Sequence, residues 1–199
     1  MTTQTPTTTS PLLTILLMTM INEKQSFALR CSVLYLLECF LFKNETKKAQ
    51  MVESLLLSPT NPNKNGEINA GQLLCSGLFS SNSNSSNQTD FVSTWLCACS
   101  LSHCIRDNLK LKEQLLRVHL AIGQTQLGKG GERGEGKQEV FSLLQQCMNS
   151  LIHNGVHVQK FQTKCALLMF LSTWLANCHQ AVDHFLQCEQ NVLYVKKLF

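Results

Sequence analysis

The most informative apolar run is Cys165-Ala-Leu-Leu-Met-Phe-Leu-Ser-Thr-Trp-Leu175, which carries no charged residue. A helix that is apolar on nearly all sides lies inside a stack of other helices rather than on its surface. Part of this stretch recurs, because Ser93-Thr-Trp-Leu96 is repeated as Ser172-Thr-Trp-Leu175 79 positions later. Cys31-Ser-Val-Leu-Tyr-Leu-Leu37 also aligns with residues 165–171. Three long apolar helices of one shape are therefore predicted.

The spacing of these matches indicates a repeat architecture. Seventy-nine positions is close to twice the period of about 40–47 residues that HEAT and armadillo repeats show. The alignment places Trp174 opposite both Phe40 and Trp95. Because one such repeat cannot bury its apolar face alone, neighbouring repeats stack into a solenoid. We therefore predict an all-α, armadillo/HEAT-like α-solenoid, with the most apolar helices, including the one over 27–43, on the inside.

Helical periodicity and turn-forming residues divide the chain into blocks. Helices are predicted over residues 12–21, 27–43, 45–57, 70–80, 91–107, 110–121, 139–153, 156–177, 181–187 and 192–199. Residues 1–11 are predicted to be a disordered leader, and residues 58–69, 81–89 and 123–137 to be flexible loops. The last of these loops contains the Gly-rich and charged stretch 128–137. The segment 12–21 is too short to span a bilayer, which takes about 20 apolar residues, and is predicted to be a core helix.

The composition supports a folded helical protein. The 199 residues are 44% hydrophobic and 15% charged, which excludes global disorder. Two Trp, two Tyr and four Pro are few for a strand-rich sandwich. The net charge is +4 and the basic residues are scattered, whereas a nucleic-acid groove needs clustered Lys and Arg.

Ten cysteines are the strongest candidates for chemistry. Most lie in apolar helical runs, where a free Cys packs as a small hydrophobe, so we predict buried, reduced thiols of a cytosolic protein. Cys97-Ala-Cys99-Ser-Leu-Ser-His103-Cys104 is the best metal candidate, but it lacks the second ligand pair that zinc sites use. No nucleophile-elbow, zinc-protease or phosphate-loop motif occurs. We predict no enzyme activity, no metal and no cofactor, with a Cys/His enzyme as a remaining alternative.

Two segments are candidate partner-binding surfaces. The block Ala70-Gly-Gln-Leu-Leu-Cys-Ser-Gly-Leu-Phe-Ser80 holds two Gly within an apolar helix, at a cost of about 1 kcal/mol each relative to Ala. Such glycines indicate either tight helix–helix packing or a partner-docking surface. The second segment is the exposed face of the amphipathic helix 110–121. The candidate residues are Gly71, Gln72, Gly77, Phe79, Lys112, Gln114 and Arg117.

Several ordered blocks resemble one family, the Uso-type Golgi vesicle tethers. They are residues 71–80, Lys112-Glu-Gln-Leu-Leu-Arg-Val-His-Leu-Ala121, Ser142-Leu-Leu-Gln-Gln-Cys147 and Leu167-Leu-Met-Phe-Leu-Ser-Thr-Trp-Leu-Ala-Asn-Cys178. The resemblance covers residues 12–199 and implies the C-terminal part of an armadillo-like head, which a long coiled coil and an acidic end follow in the family. It implies a cytosolic homodimer, peripheral to Golgi membranes, that tethers vesicles before fusion. The implied partners are Rab GTPases, SNAREs and golgins.

The chain departs from the family pattern in places. It carries the insertion 128–137, has Ser76 where the family leads us to expect Gly, and shows no coiled-coil heptads. We expect it to be a slice of a longer head, with apolar end faces that cause self-association. The predicted function is a non-catalytic scaffold for ER-to-Golgi and intra-Golgi vesicle tethering. The alternatives are another helical-repeat adaptor or, less favoured, the Cys/His enzyme.

Overall fold

A computed structural model describes residues 11–56, 69–79, 90–122, 139–153 and 158–198. Helices form most of these ranges, which confirms the all-α helical-repeat prediction. The described elements are α1 Pro11–Ile21, α2 Phe27–Leu41, α3 Glu45–Leu56, α4 Ala70–Leu78, α5 Phe91–Ile105, α6 Leu109–Leu115, β1 His119–Ile122, β2 Glu139–Ser142, α7 Leu143–His153, α8 Val158–Leu175, α9 His179–Leu186 and α10 Glu189–Leu198. The leader and the three predicted loops lie outside the described residues, except Pro11, which begins α1, and Asn69, which caps α4.

A short β-hairpin corrects two of the predicted helices. The helix predicted over 110–121 ends at Leu115, and the one predicted over 139–153 begins only at Leu143. Between them, β1 and β2 pair antiparallel, with Leu120 opposite Phe141. Leu111, Leu115 and Val118 fit a helical spacing, but Val118 is buried, His119 exposed and Leu120 half-buried, which agrees with side chains that point to opposite faces of a strand. Pairing between β1 and β2 decides whether these residues form strands or continue the helices. No local pattern encodes that pairing.

Three equivalent turns reveal the repeat. Lys43, Asp107 and Asn177 follow α2, α5 and α8, and each has a left-handed backbone with φ of 53°, 58° and 56°. A left-handed residue just past a helix end is a common way to terminate it. The next residue in each case is the N-terminal cap of the following helix. The pairs α2–α3, α5–α6 and α8–α9 are therefore structurally equivalent units.

These turns correct the predicted repeat spacing. The left-handed residues lie 64 (107 − 43) and 70 (177 − 107) positions apart, so the 79-residue register is wrong. The alignment of residues 31–37 with 165–171 is right, because it superposes Lys43 on Asn177. Trp174 therefore corresponds to Phe40, as predicted. In α5, however, it corresponds to Cys104 and not to Trp95. Burial agrees, since Trp174 is fully buried whereas Trp95 is only half-buried.

Helix α5 forms the centre of the described stack. It packs against α1, α2, α3, α4, α6 and α8, and ten of its fifteen residues are buried. Its neighbour α8 buries Phe170 and Trp174 completely, with the two ring centroids 5.6 Å apart. The inner position predicted for these two apolar segments is thus confirmed. With 18 residues, α8 is the longest described helix, yet no helix in the described ranges is long and apolar enough to cross a bilayer.

Helix α2 does not share this inner position, contrary to the prediction. It buries one stripe, Arg30, Val33, Leu37 and Leu41. Its opposite face is open, and Tyr35 is 71% and Leu36 55% exposed. In the repeat register these two residues correspond to Cys99 and Ser100 of α5, a face that α1 and α2 cover. No described helix covers the equivalent face of α2, because α2 lies at one end of the described stack.

Candidate functional site

The two glycines of the α4 block are packing residues. A Cβ atom added to Gly71 would lie 2.1 Å from the carbonyl oxygen of Ser54, so the backbones of α3 and α4 are in contact there. A Cβ atom on Gly77 would lie 2.5 Å from Sγ of Cys97 in α5. Both glycines are buried. The structure therefore supports tight helix packing, the first of the two interpretations, at these positions.

Gln72 and Phe79 also serve the fold of α4. The Gln72 backbone N–H donates to Oδ1 of Asn69 at 2.7 Å, and the Asn69 backbone N–H donates to Oε1 of Gln72 at 3.0 Å. This reciprocal capping box satisfies two backbone donors at the start of the helix. Phe79, just after the helix, is half-buried against the core. Of the four candidates in this block, none presents a fully exposed side chain.

Lys112 of α6 is an internal link rather than an exposed cation. It is only 5% exposed, and its Nζ donates to the carbonyl oxygen of Ala176. In return, Nε1 of Trp174 donates to the carbonyl oxygen of Lys112 at 2.8 Å. Carbonyl groups at a helix C-terminus favour a cation, which offsets part of the cost of burying this one. Gln114 is half-buried, and among the seven candidates only Arg117 is exposed.

The most prominent exposed feature of this region is the place where two of the equivalent turns meet. Nδ2 of Asn108 donates to Oε2 of Glu45 at 2.6 Å, so the α2–α3 turn contacts the α5–α6 turn. The other carboxylate oxygen of Glu45 accepts from Nζ of Lys48 at 2.8 Å. The hydrogen bonds from Lys48 and Asn108 lower the pKa of the Glu45 carboxyl. We name residues 42–48 together with 106–110 the turn edge.

The turn edge displays two apolar side chains. Phe42 is 63% and Leu109 52% exposed. Nζ of Lys43 lies 5.4 Å from the centre of the Phe42 ring, within the range of a cation–π contact. The sequence prediction missed this surface, since it depends on the contact between turns that are distant in sequence. One feature of the sequence could have indicated the two turns, namely that a polar residue is followed by Asn in both, as Lys43-Asn44 and Asp107-Asn108.

A buried ion pair fastens α2 to the start of α5. Nη2 of Arg30 lies 2.7 Å from Oδ2 of Asp90 and 2.8 Å from Oγ of Ser93, and its Nε donates to the carbonyl oxygen of Met20 at 2.8 Å. Burial alone would raise the pKa of Asp90, but hydrogen bonds from Arg30 and Ser93 and the Arg30 charge lower it below its ordinary value. The network therefore holds α1, α2 and α5 together.

The thiols of Cys75 and Cys104 lack the environment of a nucleophile. All ten cysteines are unpaired in the structure, and burial raises the pKa of Cys75 and of Cys104 to about 12. Reactive cysteines instead have lowered pKa values. Burial also raises the pKa of Cys99 and lowers that of His103, which opposes a thiolate–imidazolium pair. Within the described ranges, no three His, Cys, Asp or Glu residues are placed to hold a metal ion.

Comparison with known proteins gives a consistent relationship. Residues 2–198 match the family model described as the Uso1/p115-like vesicle tethering protein, head region. The chain is 44% identical over 185 residues to the general vesicular transport factor p115 of Homo sapiens, and equally to those of Rattus norvegicus and Mus musculus. These alignments cover 93% of the chain and 17% of each relative. The chain therefore belongs to the Uso1/p115-like family of vesicle tethering proteins and matches their head region.

Proposed function

We propose that the chain is a non-catalytic interaction scaffold of a vesicle tether in ER-to-Golgi and intra-Golgi transport. The observation that carries the proposal is the family match over residues 2–198, together with the 44% identity to general vesicular transport factors. The chain spans 17% of the length of those relatives. The raised pKa values of Cys75 and Cys104 argue against these two thiols as catalytic nucleophiles.

The proposed mechanism is that the tether holds a vesicle close to its acceptor membrane. A tether that binds both a vesicle and an acceptor membrane raises the effective concentration of their fusion proteins. A rigid stack suits this role because pre-organised surfaces lose little entropy on binding. Links between units, such as Lys112 to Ala176 and Asn108 to Glu45, support that rigidity.

We further propose that the chain works on the cytoplasmic side of Golgi membranes and associates with them indirectly, through proteins. Rab GTPases, SNAREs and golgins are the proposed partners, on the family resemblance. Among the candidate residues, Arg117 has the exposed side chain that we propose contacts a partner directly. The buried Gly71, Gly77 and Lys112 are proposed to act only by shaping the surface.

A relocation assay tests the function. The chain is fused to a mitochondrial outer-membrane anchor, and the accumulation of ER-derived and Golgi-derived vesicles at mitochondria is scored by electron microscopy. We expect vesicles to cluster there because a scaffold acts wherever it is attached. The control is Leu101→Asp, which places a carboxylate at a fully buried position of α5 and should unfold the stack. Equal vesicle numbers for the wild type, the control and the anchor alone would refute the proposal.

A further inference from the structure

The turn edge concentrates the positive charge of the chain. Residues 42–48 contain three Lys and one Glu, and residues 106–110 contain one Arg, one Lys and one Asp. Their net charge is +3, whereas the whole chain carries +4. Glu45, the carboxylate of the first turn, is already engaged by Lys48 and Asn108. The surface is thus cationic although the sequence as a whole shows no basic cluster.

The exposed groups of this surface are of two kinds. Lys43, Arg106 and Lys110 supply exposed cations, and Phe42 and Leu109 supply exposed apolar side chains. Exposed apolar residues beside cations are typical of surfaces that bind an acidic segment with apolar anchors. Charge complementarity therefore identifies the chemistry of the partner.

We propose that the turn edge binds an extended acidic segment of a partner protein, which sets carboxylates against Lys43, Arg106 and Lys110 and an apolar side chain against Phe42 or Leu109. Packed helices lie about 8–10 Å apart, and an extended chain advances about 3.3 Å per residue, so three or four residues bridge the two turns.

An anionic membrane fits this surface less well. Recognition of anionic lipid uses clusters of about 4–8 Lys or Arg. Here Lys48 is buried in its ion pair with Glu45, and Nζ of Lys47 donates to Gln50 at 3.0 Å. Asp107 is exposed within the turn edge and would face the lipid phosphates. A flexible peptide can direct its carboxylates to the cations and pass Asp107, whereas a membrane surface cannot.

The test is fluorescence anisotropy with a fluorescein-labelled peptide, Glu-Glu-Phe-Glu-Glu-Leu-Glu-Glu, and its counterpart with Gln in place of every Glu. The first should bind the full chain and the second should not, and added salt should weaken the binding because exposed charges are screened. Arg106→Glu/Lys110→Glu should weaken binding about tenfold, and Phe42→Ser about threefold. Neither variant alters the left-handed Lys43.

The matched control is Lys24→Glu/Lys196→Glu, which changes the net charge equally at exposed positions of the α1–α2 connection and α10. Lys24 precedes α2 and Lys43 follows it, so about 22 Å of helix separates the two sites. Thermal melting by circular dichroism establishes that each variant is folded. Equal loss of binding in both double variants would overturn the proposal, as would binding of the Gln peptide. Binding to phosphatidylserine vesicles without binding to the acidic peptide would also overturn it.

Discussion

Replacing Gly71 by Ala tests the close contact between α3 and α4. The new Cβ would lie 2.1 Å from the carbonyl oxygen of Ser54, 2.4 Å from its carbonyl carbon and 2.7 Å from the backbone nitrogen of Leu55. All three atoms belong to the backbone of α3, so relief requires one helix to move away from the other. Gly77 provides the matched comparison, since its closest neighbour would be a side-chain atom, Sγ of Cys97, at 2.5 Å.

The expected magnitude follows from two opposing effects. Overpacking a well-packed core costs about 1–3 kcal/mol, and a contact with backbone belongs at the upper end of that range. Ala in place of Gly recovers at most about 1 kcal/mol of helix propensity. Gly71→Ala should therefore lower the free energy of unfolding by about 2 kcal/mol. Gly77→Ala should lower it by about 0–1 kcal/mol, because the Cys97 side chain can adjust.

Urea unfolding followed by far-ultraviolet circular dichroism measures both free energies, and thermal melting gives a second readout. At about 2–4 °C per kcal/mol for a chain of this size, Gly71→Ala should melt about 4–8 °C below the wild type. In a Cys97→Ala background the cost of Gly77→Ala should fall, whereas the cost of Gly71→Ala should not change. A Gly71→Ala protein as stable as the wild type would refute the inferred backbone contact.

Three further properties can be predicted from single positions, and one from a surface. Asp107→Gly should raise the free energy of unfolding by about 1 kcal/mol, because Gly tolerates a left-handed backbone, and Asp107→Ala should not; urea unfolding compares them. The pKa of Asp90 is lower in the folded state, so its stabilising effect is present above the unfolded-state value and is lost as pH falls through the folded one. The stability difference between the wild type and Asp90→Asn should therefore shrink below about pH 4, and a constant difference would contradict the ion-pair reasoning. Alkylation of the native protein, followed by mass spectrometry, should modify the exposed Cys39 well before the buried Cys97, and a hyper-reactive buried thiol would favour the enzyme alternative. The exposed apolar face of α2 should cause concentration-dependent self-association in analytical ultracentrifugation, which Tyr35→Glu should reduce; a monomer at every concentration would argue against an adhesive face.

The positions of the helices could be predicted from the sequence because they depend on local patterns. The apolar run over 91–105 is read within a few residues, and every described helix except α6 and α7 begins and ends within three residues of its predicted bounds. The inner place of α5 followed from the same information, but the same argument failed for α2, whose open face carries the exposed Tyr35 and Leu36.

The repeat register could not be obtained in this way. The Ser-Thr-Trp-Leu match spans only four residues, and the recurring left-handed turn has no fixed residue, being Lys43, Asp107 and Asn177 in the three units. Residues that tolerate a left-handed backbone are also common in ordinary loops. Only the backbone conformation identifies the three positions as equivalent.

Local sequence patterns were enough to identify a stack of helices with a tether-family head, because helical periodicity and family blocks lie within short segments. The prediction of buried thiols was right only in part, since four of the ten cysteines are buried, five are half-buried and Cys39 is exposed. Tertiary structure decided which candidate residues face outward. Lys112 is turned inward because α8 ends beside it, and Gly71 is buried because α3 crosses it. The turn edge exists because Asn108 meets Glu45 across 63 positions of chain. These outcomes depend on how helices pack, and contacts between distant segments leave no periodic trace in the sequence.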